Sequence, residues 1–333
     1  LENSSDLRLG SGKGKVYLVG AGPGDPWLLT RKGEAALKLA DVVVYDHLAS
    51  PSLLDLAPSG AVRILAGKSI GHCILKQDEI NELLLDHARA GRNVVRLKGG
   101  DPLIFGRGGE EAAFLRAAGV PFEIVPGVTA GVGVSAYAGV SITHRSHASA
   151  VAFVTGHDDP ESETNSLDWR ALAAFPGTLV IYMGVTHLAA ICRALVRFGK
   201  SPDTPAATVE SGTLPSQRTV VGTLATIATI AAAAGLHPPA LLIVGSVIEE
   251  RDQLHWFESL PLFGQRIVIT RPRAEALPSS AMLEMMGAEV IVAPTIAVRP
   301  LADSSRLDRS IDRLAEYDWL VFTSANGVRF FMQ

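Results

Sequence analysis

The stretch Val16–Thr30 (VYLVGAGPGDPWLLT) constrains the fold more than any other part of the chain. An apolar run of β-branched, aromatic and leucine side chains enters three alternating glycines, then Asp25-Pro26 and a run with helical character. That order reads as a buried strand, a tight turn and a helix start. Glycines at 20, 22 and 24 let a backbone approach a ligand with no Cβ in the way. The helix start is expected to turn free N–H groups toward that ligand. A dinucleotide site wants G-x-G-x-x-G. Here the spacing is G-x-G-x-G, Asp25 follows with a carboxylate that repels pyrophosphate, and Pro23 removes an N–H donor. The turn therefore predicts either a phosphate-free, neutral or cationic ligand, or a tight turn with no ligand at all.

The chain has 333 residues, enough for two or three domains. With 47% apolar and 19% charged residues the composition is globular, and a net charge of -4 gives no general basic surface for nucleic acid. Cys73 and Cys192 stand far apart, which supports neither a disulfide framework nor a zinc site and fits a reducing compartment. His144 and His147 have H-x-x-H spacing without an evident third ligand, so no metal is expected. The most apolar helical run, Leu224 to Leu236, falls short of the ~20 residues of a membrane span. Residues 1–6 lack the charged-then-apolar order of a signal peptide, and the expected location is cytoplasmic.

Residues 1–14 predict a flexible tail. Strands are expected at 15–19, 41–45, 62–65, 94–97 and 122–125, and helices at 28–39, 77–90 and 110–118. Gly67-Lys68-Ser69 lacks the glycine that a phosphate loop needs at position 62, which is Val62. The alternation predicts a largely parallel sheet, so the turns at 20–25, 98–102 and 126–130 share the edge where open α/β sheets bind ligands. Gly139–Arg145 reads as a crossing segment. A second α/β unit follows, with strands at 150–155, 178–183, 206–210, 218–222 and 240–244 and helices near 168–174, 187–198 and 224–234. The expected organisation is one α/β subdomain over 15–139, a second over 140–250 and a cleft between their sheets. A linker over 251–264 then leads to a segment over 265–333. That last segment restarts a β-α-β pattern, with a third strand at 319–323. At ~70 residues it is expected to be an incomplete domain.

Several stretches carry a resemblance: Val16–Thr30, Tyr45-Asp46, Gly67-Lys68, Gln77–Asn81, Val94–Glu111 (VVRLKGGDPLIFGRGGEE), Pro126–Arg145 and Val154–His157. Over about residues 15–250 these resemble, in order, the uroporphyrinogen-III C-methyltransferases of the tetrapyrrole methylase family. The resemblance implies two α/β subdomains with S-adenosylmethionine between them, usually in a homodimer. The implied reaction methylates uroporphyrinogen III at C2 and C7, through precorrin-1 to precorrin-2, on the way to sirohaem and cobalamin. A sulfonium donor without phosphate agrees with the failed dinucleotide pattern. By the same resemblance Asp46 is the base and Lys68 its acid partner. The donor is expected to touch Pro23, Gly99, Gly100, Asp101, Ile104, Thr129, Ala130, Met183, Gly212 and Ala240. Arg107 and Arg145 are candidates to pair substrate carboxylates. The sequence departs from the family pattern at Ser69, Lys76 and Ser141, which bears on the substrate-side loops.

The last segment resembles the start of uroporphyrinogen-III synthase in Ile269–Pro272 and Phe322–Val328, implying consecutive steps on one chain. Too few elements are visible there to build that family's two-domain cleft. Three other readings stay open: another precorrin methyltransferase, an NAD-dependent oxidoreductase and a non-catalytic donor-binding module.

Overall fold

The computed structural model describes residues 14–66, 75–162, 165–299 and 302–332. It divides into two units, residues 1–263 and 264–333.

The first unit opens with β1 (Val16–Gly20), α1 (Arg31–Lys38), β2 (Val42–Tyr45), β3 (Val62–Leu65), α2 (Gln77–Arg89), β4 (Val94–Lys98), α3 (Gly108–Ala117) and β5 (Phe122–Val125). The five strands form one parallel sheet in the order β3-β2-β4-β1-β5. Alternate side chains serve opposite layers. Val16, Leu18, Val44 and Val94 pack on Ile80, Leu84 and Leu115 of α2 and α3. Val19, Val43 and Leu97 pack on Ala36 and Leu37 of α1 and on Leu53. Both faces of the central sheet are therefore buried, which is why β1 and β2 read as continuous apolar runs.

Next come α4 (Ala130–Tyr137), β6 (Val151–Thr155), α5 (Trp169–Ala174), β7 (Thr178–Tyr182), α6 (Leu188–Arg197), β8 (Pro205–Glu210), β9 (Arg218–Thr223), α7 (Ile227–Ala233), β10 (Ala240–Val244) and α8 (Arg251–Leu254). Their sheet runs β6-β7-β10-β8-β9, and only β6 and β7 are parallel. One face packs on α5, α6 and α7 through Trp169, Ile191, Leu195 and Ile227. The other packs on α4.

Three features differ from the sequence reading. The helix α4 had no counterpart there, because Gly131 and Gly133 depress helix propensity. Both glycines are demanded by packing. A Cβ on Gly131 would lie 2.7 Å from the Phe153 ring, and one on Gly133 would lie 2.7 Å from Pro23. Val134 of α4 and Ala138 just after it belong to the second core, so that layer begins ahead of the expected boundary at 139. Residues 251–263, expected as a linker, are packed: Phe257 is buried, Trp256 Nε1 donates to Ala136 O at 3.1 Å, and Arg251 pairs with Glu258. Burial of Phe257, with the rings of Tyr137 and Phe263 against it, ties this segment down.

The second unit contains β11 (Arg266–Ile269), α9 (Arg273–Met285), β12 (Glu289–Val292), α10 (Ser305–Asp312) and α11 (Ala325–Phe331), with β11 and β12 paired in parallel. Residues 319–323, expected as a strand, join no ladder among the described residues, and Trp319 and Val321 are exposed. A strand needs a neighbour for its backbone groups, whatever its β propensity.

Candidate active site

The three turns after β1, β4 and β5 meet. Ala21 N donates to Lys98 O at 2.7 Å, and Gly22 and Gly100 exchange backbone bonds of 3.2 and 2.7 Å. A Cβ on Gly20 would stand 2.6 Å from Gly100 O and from Gly127 Cα. Gly20 and Gly127 are thus glycines because backbones cross there. Gly100 differs: its φ is +67°, and a Cβ would meet nothing nearer than Ala130 N at 3.7 Å. A Cβ therefore fits at Gly100 in ordinary contact, whereas Gly20 and Gly24, in the turn expected to form the cradle, are closed in by Gly127 Cα at 2.6 Å and Thr213 Oγ1 at 2.8 Å. Asp101 fastens the crossing, with Oδ1 accepting from Leu103 N at 2.8 Å and Oδ2 from Gly127 N at 3.0 Å.

The helix start expected to point at the ligand is used up locally. Asp25 caps a single 3-10 turn over residues 26–28 by accepting from Trp27 N at 2.9 Å, and α1 begins only after Thr30, whose hydroxyl caps Gly33 N at 3.1 Å. Asp25 Oδ2 also accepts from the Tyr137 hydroxyl at 2.6 Å. Burial, then this hydrogen bond, push that phenol above its ordinary pKa. The helix start that does lie at the crossing is α4, preceded by Thr129.

Strand directions bring the second sheet's contribution to one edge. With β10 antiparallel to β7 and β8, Ala240 at the start of β10 lies beside Glu210, and Leu241 beside Tyr182. Met183, Gly212 and Ala240 therefore share an edge although Ala240 begins its strand. Gly212 lets the loop after β8 close on α4, since a Cβ there would stand 2.7 Å from Val134 Cγ2.

Tyr182 joins this edge to the first. Its hydroxyl accepts from Gly131 N at 2.7 Å and lies 2.8 Å from Thr129 Oγ1, while its ring lies 4.9 Å from that of Phe105. Burial raises its pKa. Asp25 N donating to Thr213 Oγ1 at 3.0 Å adds another tie. Among the described residues, the non-glycine residues with positive φ are Phe105, Arg107, Met183, Ser211 and Thr213, all in loops after β4, β7 or β8. Such strain persists only where surrounding structure enforces it, and it concentrates at functional sites. Partly exposed apolar side chains, Ile104 at 37% and Met183 at 48%, stand beside it.

Pro23, Gly99, Gly100, Asp101, Ile104, Thr129, Ala130, Met183, Gly212 and Ala240 thus all lie on these two joined edges. Asp46 follows β2 on the first edge and accepts from Arg96 Nη2 at 2.5 Å. Lys68 and Ser69 lie outside the described residues. Arg107 is exposed and spends its fork on Glu110, at 2.9 and 2.6 Å. Arg145 is exposed in the turn closed by the His144–Ala148 bridge. His147 Nε2 lies 2.9 Å from Glu250 Oε1, and no group of three metal-ligating side chains occurs among the described residues. Ser141 bonds locally to Thr143 O, and the Lys76 N–H is taken by Glu79 at the start of α2. A cavity of about 370 Å³ lies at the other end of β7 and β8, lined by Thr178, Lys200 and Pro205 among others.

Sequence reasoning missed Tyr182 and the buried group Arg96, Lys98 and Glu111. Two cations at alternate positions of an otherwise apolar central strand were the available signal for the latter. Burial, then Arg96, lower the Lys98 pKa, while Glu111 and Asp46 oppose the drop.

The two α/β sheets are joined at these strand ends through Tyr182, Thr129 and Gly131. Residues 15–228 match the model of the Tetrapyrrole (Corrin/Porphyrin) Methylases, and residues 278–333 that of Uroporphyrinogen-III synthase HemD. The S-adenosyl-L-methionine-dependent uroporphyrinogen III methyltransferase of Methanosarcina barkeri is 51% identical over 241 residues, covering 72% of this chain and 94% of that protein. The porphyrin biosynthesis protein HemD of Ruminiclostridium josui is 40% identical over 318 residues, covering 96% of this chain, which spans 63% of that relative's length. The crystal structure of the uroporphyrin-III C-methyl transferase of Thermus thermophilus with S-adenosylhomocysteine superposes with a TM-score of 0.60 at 45% identity, covering 71% of this chain and 99% of that one. The chain belongs to the tetrapyrrole methylase family.

Proposed function

We propose that residues 15–250 methylate uroporphyrinogen III at C2 and C7 with S-adenosylmethionine, giving precorrin-2 by way of precorrin-1, toward sirohaem and cobalamin. The observation that carries this reading is the meeting of the glycine turns after β1, β4 and β5 with the ends of β7 and β8, where a Cβ on Gly100 would meet nothing nearer than 3.7 Å. The donor supplies an electrophilic methyl group on a sulfonium. A cradle of backbone and apolar side chains suits it, because it brings no phosphate to be neutralised. Pro23, Gly99, Gly100, Asp101, Thr129, Ala130, Gly212 and Ala240 complete the donor's surroundings.

Methylation of a pyrrole carbon leaves the macrocycle with a proton to lose, and Asp46 accepts it. Arg96 holds the Asp46 carboxylate by Oδ1, and at 29% side-chain exposure it remains within reach of the cleft edge. Lys68 is its acid partner. Arg145 pairs a substrate carboxylate, as Arg107 does on exchanging Glu110 for it. The protein works as a cytoplasmic homodimer, and its second unit belongs to a synthase that makes the methylase's substrate.

Incubation with uroporphyrinogen III and labelled donor, counting methyl groups by mass spectrometry, tests the reading. Two methyl groups on the product are expected, with a singly methylated intermediate. No transfer, or transfer only to a more highly methylated corrin precursor, would refute it. Asp46→Asn should lower kcat about 100-fold with S-adenosylhomocysteine affinity unchanged, and near-normal turnover would rule Asp46 out as the base.

A further inference from the structure

The layer between the first sheet and α2/α3 is apolar except near the turns. Val94 on β4 sits in that core, but the next two side chains on the same face are Arg96 and Lys98, only 2% and 3% exposed. Glu111 of α3 faces them at 0% exposure, with Gln77 of α2 alongside. One oxygen of Glu111 holds the group together. Its Oε1 accepts from Lys98 Nζ at 2.9 Å, from Arg96 Nε at 3.2 Å and from Gln77 Nε2 at 3.2 Å. Its Oε2 is buried without a hydrogen-bond partner among the described residues. Arg96 reaches on from Glu111 to Asp46 Oδ1.

Stability does not account for this group. Desolvating three charges, on Arg96, Lys98 and Glu111, is expensive, and buried ion pairs are often no better than apolar residues of the same volume. The unpaired Oε2 adds a further cost. What the group does supply is direction and charge balance. Glu111 pins the guanidinium at Nε, so the rigid fork presents Nη2 to Asp46 from one angle. Two cations then face two carboxylates. Without Glu111, the Asp46 carboxylate would face Arg96 and Lys98 uncompensated.

We propose that Glu111 is a positioning residue for proton removal: through Arg96 it sets the direction of the Asp46 carboxylate, and through Lys98 it balances the charge that carboxylate meets. The proposal rests on the reading of Asp46 as the base. A double-mutant cycle on the full chain tests it. Glu111→Gln keeps shape and an acceptor but removes the charge, and Arg96→Lys keeps the charge but removes the fork. Turnover and KM with uroporphyrinogen III, S-adenosylhomocysteine affinity by calorimetry and the melting temperature are measured for each.

Each variant should lose on the order of tenfold to a hundredfold in kcat, the cost of misplacing a catalytic group, with KM and S-adenosylhomocysteine Kd within about twofold. In an Asp46→Asn background, Glu111→Gln should have no further effect. Unchanged kcat in Glu111→Gln, or the same fractional loss with and without Asp46, would overturn the proposal, the latter marking a merely structural role. If Glu111→Gln fails to fold, Arg96→Lys takes its place in the cycle, and its kcat decides in the same way. Normal turnover by Asp46→Asn alone would overturn the base reading and this proposal together, and that arm separates the two failures.

Discussion

Gly100 and Gly127 stand at one crossing but answer to different demands, and substitution separates them. A Cβ on Gly127 would lie 2.7 Å from Gly20 Cα and closer still to Gly100 O, both backbone atoms that cannot step aside. Gly127→Ala should cost about 3 kcal/mol or more, at the upper end of overpacking. On a unit of this size that corresponds to roughly 6–12 °C in melting temperature. At Gly100 the penalty is conformational, because φ is +67° and the nearest atom is Ala130 N at 3.7 Å. A left-handed L residue costs roughly 1–2 kcal/mol, offset by ~0.4–1 kcal/mol from the stiffer unfolded chain. Gly100→Leu should therefore fold, about 1 kcal/mol less stable, with its side chain placed at the crossing beside Thr129 and Ala130. If the donor lies there, S-adenosylhomocysteine affinity should fall at least ~100-fold, or about 2.7 kcal/mol. Thermal denaturation and titration calorimetry on both variants provide the test. A folded Gly100→Leu with unchanged affinity would refute the donor placement, and a Gly127→Ala as stable as the parent would refute the packing reason for that glycine.

Three further outcomes are expected. Tyr182→Phe strips the acceptor from the buried Gly131 N–H and should cost about 1–3 kcal/mol in urea denaturation, whereas an unchanged midpoint would deny Tyr182 its place at the seam. Phe257→Ala should cost about 3–5 kcal/mol, as for a core aromatic; a change near zero would restore the linker reading of 251–264. Burial pushes the Cys192 thiol up to about 11 from 9.0, so the thiolate is disfavoured in the native state. Alkylation at pH 8, followed by peptide mapping, should leave Cys192 unmodified until the protein unfolds. The stability linked to that thiol is complete below pH 9 and lost as the pH climbs toward 11, and rapid native labelling would contradict this.

Most of what can be read along the chain is local. Apolar runs ending at or beside glycines mark β1, β7 and β10, because a strand buried on both faces has no polar side to blur its ends. The G-x-G-x-G spacing with Asp25 argues against a dinucleotide from the sequence alone, since the carboxylate and the missing N–H of Pro23 are fixed by residue type. Whatever depends on distant residues meeting had to wait for the folded chain. The glycines of α4, which hid the helix, are required by Tyr182, Phe153 and Pro23, contacts that are invisible along the chain. Ala240 joins Met183 and Gly212 only because β10 runs against β7 and β8. The tie between Asp46 and Glu111 passes through Arg96 on a third element, at sequence separations of 50 and 15 residues. Strand and turn propensities act between near neighbours, whereas burial, register and charge pairing are set by whatever the fold brings within a few ångströms.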